Sequence, residues 1–127
     1  MVRSAPPMAT DVSDLIQTSL LGEAIENAPI GVFVTDEDRR YIAVNRAASE
    51  MLGYERDELL GLRATSLSPL PDAAERYREM VGAGERFGTT PAIRKDGTRI
   101  EVEFWSCTTR VAQMLVYVTF VRRLDEG

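Results

Sequence analysis

The side chains best suited to chemistry in this chain are few and scattered. Asp36, Glu37 and Asp38 stand in a row, and paired carboxylates can do acid–base work when one of them is desolvated. They also sit in a short polar stretch, Asp36 to Arg40, between two apolar runs. The simpler reading is a solvated hairpin turn with an Asx-type bond, in which Asp36 also bonds across to the second-strand region. Cys107 is the only thiol; redox or chromophore chemistry would want a cation beside it, and Arg110 is three residues away along a strand. A packed structural thiol is therefore preferred. Met51, Met80 and Met114 carry sulfurs able to ligate haem iron, but flexible core filling is the ordinary use of methionine. Histidine is absent, which removes the usual neutral-pH acid–base residue and the commonest transition-metal ligand together.

Composition narrows the classes further. The 127 residues predict one domain, long enough to bury about two-thirds of its unfolded surface. Hydrophobic residues make up 44% and charged residues 28%, as in an ordinary globular protein. The net charge of −5 argues against a dedicated nucleic-acid surface, which would show a basic excess. A single cysteine forbids an internal disulfide and fits a reducing, cytoplasmic setting. No apolar stretch is long enough to span a membrane, and residues 1–9 read as a disordered lead-in with no signal-peptide core.

The elements that would position these residues follow from local pattern. Thr10 to Ala28 reads as a helix with two apolar stripes, Val12, Leu15, Ile16 and Leu20 on one and Leu21, Ala24, Ile25 and Ala28 on the other. Gly22 between them is a place to kink or break, and Pro29 ends the helix. Ile30 to Thr35 and Tyr41 to Val44 form a strand pair. Asn45 then caps a helix whose Ala47, Ala48, Met51 and Leu52 share a face, and Gly53 suits the left-handed residue that closes it. A shorter helix covers Glu55 to Leu60. A loop leads to a helix from Asp72 through Tyr77, Met80 and Val81. Strands Phe87–Arg94 and Thr98–Arg110 flank the Asp96-Gly97 turn, and Met114–Arg123 is the last strand. Five strands with helices between the second and third suit an α+β fold.

The string from Gly31 to Gly61, GVFVTDEDRRYIAVNRAASEMLGYERDELLG, resembles the N-terminal half of a PAS domain. Val34, Asp36, Asn45, Ala48, Leu52, Gly53, Tyr54, Glu58, Leu59 and Gly61 sit on the family's pattern, and Arg94-Lys95-Asp96-Gly97-Thr98 resembles its second-half hairpin. The resemblance covers Leu21 to Leu124. It implies a five-stranded antiparallel sheet of order 2-1-5-4-3, with helices on one face and an N-terminal flanking helix. It also implies a core domain over residues 29–124, a flanking helix over 10–28 and a tail over 125–127. Its functional implication is a bacterial, cytoplasmic sensor or interaction module without catalytic residues, either a regulatory fragment or a stand-alone partner of a signalling protein. An enzyme using the same cavity would need an acid on the inner face, and alternation places none there. The family's usual Asp-Ile-Thr after the last strand is replaced by Arg122-Arg123-Leu124.

Alternation along the fourth strand, matched to the family, sends Ile100, Val102, Phe104, Ser106 and Thr108 inward and Glu101, Glu103, Trp105, Cys107 and Thr109 outward. The candidate cavity lining is Phe33, Thr35, Leu52, Leu60, Leu67, Tyr77, Met80, Ala92, Val102, Phe104, Ser106 and Val121. This mostly apolar set fits a filled or water-containing core first, and a small hydrophobic ligand such as a fatty acid second. The position of the flavin-reactive cysteine in light-sensing LOV relatives is Ala64, and the flavin-binding amides map onto Ala92, Val102 and Val121, which disfavours flavin. The missing histidine disfavours haem. Val32, Val34 and Trp105 share the outer face, a patch that wants a cover. Burying one large aromatic contributes about 2–3 kcal/mol. The resulting expectation is a homodimer built from that face and Leu15, Ile16 and Leu20 of the flanking helix. Glu101 and Glu103 on the same face read either as a solvated edge paired with arginines or as a signalling surface.

Overall fold

The computed structural model describes residues 7–72, 75 and 86–124. Helix α1 (Pro7–Glu26) leads into strands β1 (Gly31–Thr35) and β2 (Tyr41–Val44), which are followed by helices α2 (Arg46–Leu52) and α3 (Arg56–Leu59) and a 3-10 turn (Ala64–Leu67). Strands β3 (Arg86–Ile93), β4 (Arg99–Val111) and β5 (Met114–Arg123) complete one antiparallel sheet of order β2-β1-β5-β4-β3. This is the α+β architecture expected from the sequence, with the first strand placed centrally beside the last.

Local chemistry accounts for most boundaries. Asp36 Oδ1 accepts from the backbone N–H groups of Asp38 (2.8 Å) and Arg40 (3.0 Å), so the carboxylate row is a turn device. Asn45 accepts from Ala48 N and starts α2, and Gly53 closes it at φ 77°, where a Cβ would be strained. Gly97 takes φ 90° in the β3–β4 turn, and Asp96 Oδ1 accepts from Thr98 N at 2.9 Å. The β4–β5 turn is less obliging: Ala112 (φ 50°) and Gln113 (φ 68°) both take positive φ without glycine. Pro91 lies in β3, tolerable because β3 is an edge strand.

Helix α1 departs from its expected form. It begins at Pro7, a residue suited to the first helical turn because it has no N–H to satisfy, and it ends at Glu26 rather than Ala28. Gly22 does not break it; the helix continues through. Every residue from Val12 to Ile25 is exposed, including Val12, Leu15, Ile16, Leu20, Leu21 and Ile25. The core lies instead between the inner face of the sheet and α2, α3 and the 3-10 turn. It is built from Phe33, Tyr41, Val44, Ala48, Leu52, Leu59, Ala64, Leu67, Ile100, Val102 and Val121. Helix α2 sits close on β1 at Gly31, where a Cβ would come within 3.3 Å of the Ala48 backbone.

Candidate functional site

Strand register sorts the sheet into two surfaces. On the inner face the cross-strand rows are Thr35–Tyr117–Thr108, Phe33–Thr119–Ser106 and Gly31–Val121–Phe104–Gly88, with Val102 opposite Thr90 and Ile100 opposite Ala92. One end of this face is apolar and meets Ala48, Leu52 and Leu59 from the helices. The other end carries hydroxyls: Thr35, Ser106 and Tyr117 are buried, and the Ser106 and Thr119 hydroxyls bond to each other across β4 and β5. Hydrogen bonding within the pair offsets the cost of burying two hydroxyls in an otherwise apolar core.

Of the residues expected to line a cavity, Phe33, Thr35, Leu52, Leu67, Val102, Ser106 and Val121 are buried, while Ala92 and Phe104 are partly buried against the same core. Tyr77 and Met80 lie outside the described residues. Leu60 is a correction. It is 39% exposed, and the fully buried side chain is its neighbour Leu59. The four-residue α3 has one inward position, and its Glu55–Glu58 cap sets the phase that turns Leu59 inward: Glu55 N donates to Glu58 Oε1 at 2.8 Å. Met114 is also corrected, from core filler to an exposed residue beside the β4–β5 turn; Met51 packs against the core as expected. Tyr41, Val44, Ala64 and Ile100 belong to the core although the cavity reading omitted them. The alternation of β4 already marked Ile100 as inward.

The outer face carries an apolar row across four strands. Phe87 of β3 lies opposite Trp105 of β4, Trp105 opposite Phe120 of β5, and Phe120 opposite Val32 of β1. A second row runs Cys107–Val118–Val34–Ala43. Phe87 is 78% and Trp105 57% exposed, whereas Val32 is buried and Val34 and Cys107 are partly buried. Glu103 and Glu101 flank the aromatic row, paired with Arg122 (2.7 Å) and Arg99 (3.2 Å). Both acids therefore have arginine partners, one of the two readings their spacing allowed.

The two surfaces meet around Asn45. This side chain, 4% exposed, uses all four of its hydrogen-bonding positions. Oδ1 accepts from Val32 N at 2.9 Å and from Ala48 N at 3.0 Å. Nδ2 donates to Ile25 O at 2.7 Å and to Ile30 O at 3.0 Å. The residue expected only as a helix cap is also the tie between β1, α2 and the last turn of α1. Nearby, Arg56 at the start of α3 pairs with Glu26 at the end of α1 (2.6 Å).

A further clamp holds the β3–β4 turn against α2 and α3. Arg94 Nε donates to Met51 O at 3.0 Å, Lys95 N donates to Leu52 O at 2.8 Å, and Lys95 pairs with Glu58. The Lys95 ammonium, then the Glu55 N–H, holds Glu58 below the usual carboxylate range. Glu58 in turn raises Lys95. The Thr98 hydroxyl and N–H lower Asp96.

A family model described as a PAS domain matches residues 29–119. The fold is similar to the PAS domain of an HTR-like protein from Haloarcula marismortui (24% identity, TM-score 0.78, covering 91% of this chain and 99% of that one). It is also similar to a domain of a sensory box sensor histidine kinase/response regulator from Geobacter sulfurreducens (25% identity, TM-score 0.73, covering 85% and 95%). A third likeness is the LOV domain of the blue-light photoreceptor Aureochrome1 (23% identity, TM-score 0.67, covering 84% and 83%). No curated protein sequence matches the chain.

Proposed function

The chain belongs to the PAS domain family, and from that premise we propose that it is a sensory, non-catalytic regulatory module acting as a homodimer. Helix α1 and the outer sheet face would form the contact between copies. The observation that carries this reading is the exposure of both apolar stripes of α1 together with the Phe87–Trp105 row on the sheet. A helix exposed in the monomer on two apolar sides is suited to lie between two neighbours, a partner's sheet and a partner's α1. Signal transmission follows by population shift: a ligand or partner that favours one packing of the inner face biases the arrangement of α1.

Flavin does not fit the inner face. Ala64 stands where the reactive thiol of LOV relatives would be, and Ala92, Val102 and Val121 offer no donor or acceptor to a ring edge. The inner face suits a small hydrophobic ligand lying against Phe33, Phe104 and Val121, with the hydroxyl end near Ser106 and Thr119. Exposure of Phe87 and Trp105 supports a second reading, a ligand-free module whose outer face binds a signalling protein. Neither reading involves nucleic acid. No helix among the described residues is long and apolar enough to cross a membrane, and the cytoplasmic, bacterial setting rests on the single cysteine and the family alone.

Sedimentation equilibrium of the full chain beside a truncated chain starting at Ala28 tests the dimer. The expectation is a dimer and a monomer respectively, and a truncated chain that stays dimeric removes α1 from the interface. Native mass spectrometry of the same sample separates the two readings: a homogeneous added mass supports a chemical sensor, and a bare chain supports the interaction module.

A further inference from the structure

Helix α1 is held to the rest of the fold at its last turn. No side chain from Val12 to Ile25 is buried, so packing does not fix its direction within one chain. Among the described residues, two side chains bond to its last turn, the two polar links described above. Asn45 Nδ2 donates to Ile25 O, a carbonyl that also accepts from Ala28 N (3.2 Å). Arg56 pairs with Glu26, one residue further along. The end of α1 carries no basic residue of its own. The Asn45 amide therefore supplies a donor to a carbonyl at the end of α1, and Arg56 places a positive charge beside that end through the Glu26 carboxylate.

Both links originate from elements that carry the core. Asn45 opens α2, whose Ala48 and Leu52 are buried, and Arg56 opens α3, whose Leu59 is fully buried. The same Asn45 side chain bonds Val32 N on β1. Asn45 sits at the start of α2 and Arg56 at the start of α3, and on α1 they hold successive residues, Ile25 and Glu26, so the two links together restrain its last turn where one would leave a pivot.

We propose that Asn45 and Arg56 are positioning residues that couple the α2–α3 layer to the direction of α1. The core's packing state would thereby be written into the helix that the dimer reading above places at the interface. The inference rests on that reading for its consequence, and the coupling itself is measurable within one chain.

The test uses the full chain carrying Cys107→Ser, with spin labels at Ser19→Cys on α1 and Glu50→Cys on α2, diluted in excess unlabelled protein so that only intrachain distances are read. Asn45→Asp keeps the Oδ1 acceptor for Val32 N and Ala48 N but loses the amide donor to Ile25 O and Ile30 O. Arg56→Met removes the exposed ion pair without touching the core. The expected result is one narrow distance distribution in the parent, broadened in each variant and most in the pair. Amide exchange over residues 20–28 should rise by about five- to tenfold in Asn45→Asp, the change expected from losing the hydrogen bond to Ile25 O, while exchange over residues 100–107 holds. Unchanged distances in both variants overturn the coupling. If Asn45→Asp fails to fold, Arg56→Met decides alone. Sedimentation of the parent is read separately: a monomer sinks the dimer reading and leaves the distances to judge the coupling, whereas a dimer with unchanged distances shows that the partner, and not these links, directs α1.

Discussion

Helices α1 and α2 make an instructive pair. The first has 20 residues rich in Leu, Ile and Val, and none of its side chains from Val12 to Ile25 is buried. The second has seven residues, begins with a buried asparagine cap, ends at a left-handed glycine, and buries Ala48 and Leu52. The number of apolar residues, nine in α1 against four in α2, would rank them in the wrong order. What places α2 is its close seat on the sheet, where Gly31 lets the two backbones approach, together with end chemistry that satisfies its terminal N–H and C=O groups. Helix α1 differs in that its two apolar stripes face different directions, so a single surface of its own chain would cover only one of them.

The sharpest test of that contrast is a pair of truncations of leucine in the two environments. Leu59→Ala, at a side chain with no exposure, should cost about 2–5 kcal/mol by urea unfolding, whereas Leu60→Ala should cost well under about 1 kcal/mol. Equal costs would mean that α3 is turned the other way. Next in size, Asn45→Ala removes the α2 cap and leaves the Val32 N–H and the Ile25 and Ile30 carbonyls without this partner. A loss of about 2–3 kcal/mol is expected, with Asn45→Asp losing less because it keeps the acceptors.

The β4–β5 turn offers a gain of stability. Replacing Ala112-Gln113 by Asn-Gly supplies the residues that a turn with two positive φ values prefers, and thermal unfolding should show about 1 kcal/mol of added stability. On α1, Leu15→Ser with Leu20→Ser should leave unfolding at low protein concentration within about 0.5 kcal/mol of the parent, yet abolish any dimer seen by sedimentation. A large loss of monomer stability would show that α1 packs on its own domain after all.

The smallest effect concerns pH. Glu58 and Asp96 have pKa values lowered in the folded chain, so their contributions are present above the ordinary carboxylate range and fade as pH falls through the lowered values. Lys95 is raised, so its contribution is present below the ordinary lysine value and is lost as pH rises through the raised one. Glu58→Gln should therefore flatten the acid side of the stability profile slightly, and an unchanged profile would show that solvent screens the Lys95 pair entirely.

Much of this molecule was legible without coordinates because its signals are local. Asp36 bonds within its own turn, Asn45 caps the helix that follows it, and Gly53 and Gly97 occupy the positive-φ sites their neighbours require. Strand alternation separated Ser106 from Trp105 and Cys107 correctly, since successive side chains must point to opposite faces. Family resemblance supplied the sheet order, which no local rule could. The misreadings, Leu60, Met114 and the ends of α1, share a cause. One residue of helical phase, a position at a strand end, and a helix terminus are set by a few hydrogen bonds rather than by a repeated pattern.

The sequence by itself determined the fold family, the turns, the capping of α2 and the two faces of β4. These depend on residues close together in the chain or on a pattern repeated along it. Only the tertiary structure decided that Asn45 reaches back 20 residues to Ile25, that Arg56 meets Glu26 across 30, and that α1 is left uncovered. Each of these depends on which distant groups the packed sheet and helices bring within hydrogen-bond reach, and hydrogen bonds act only over that short range.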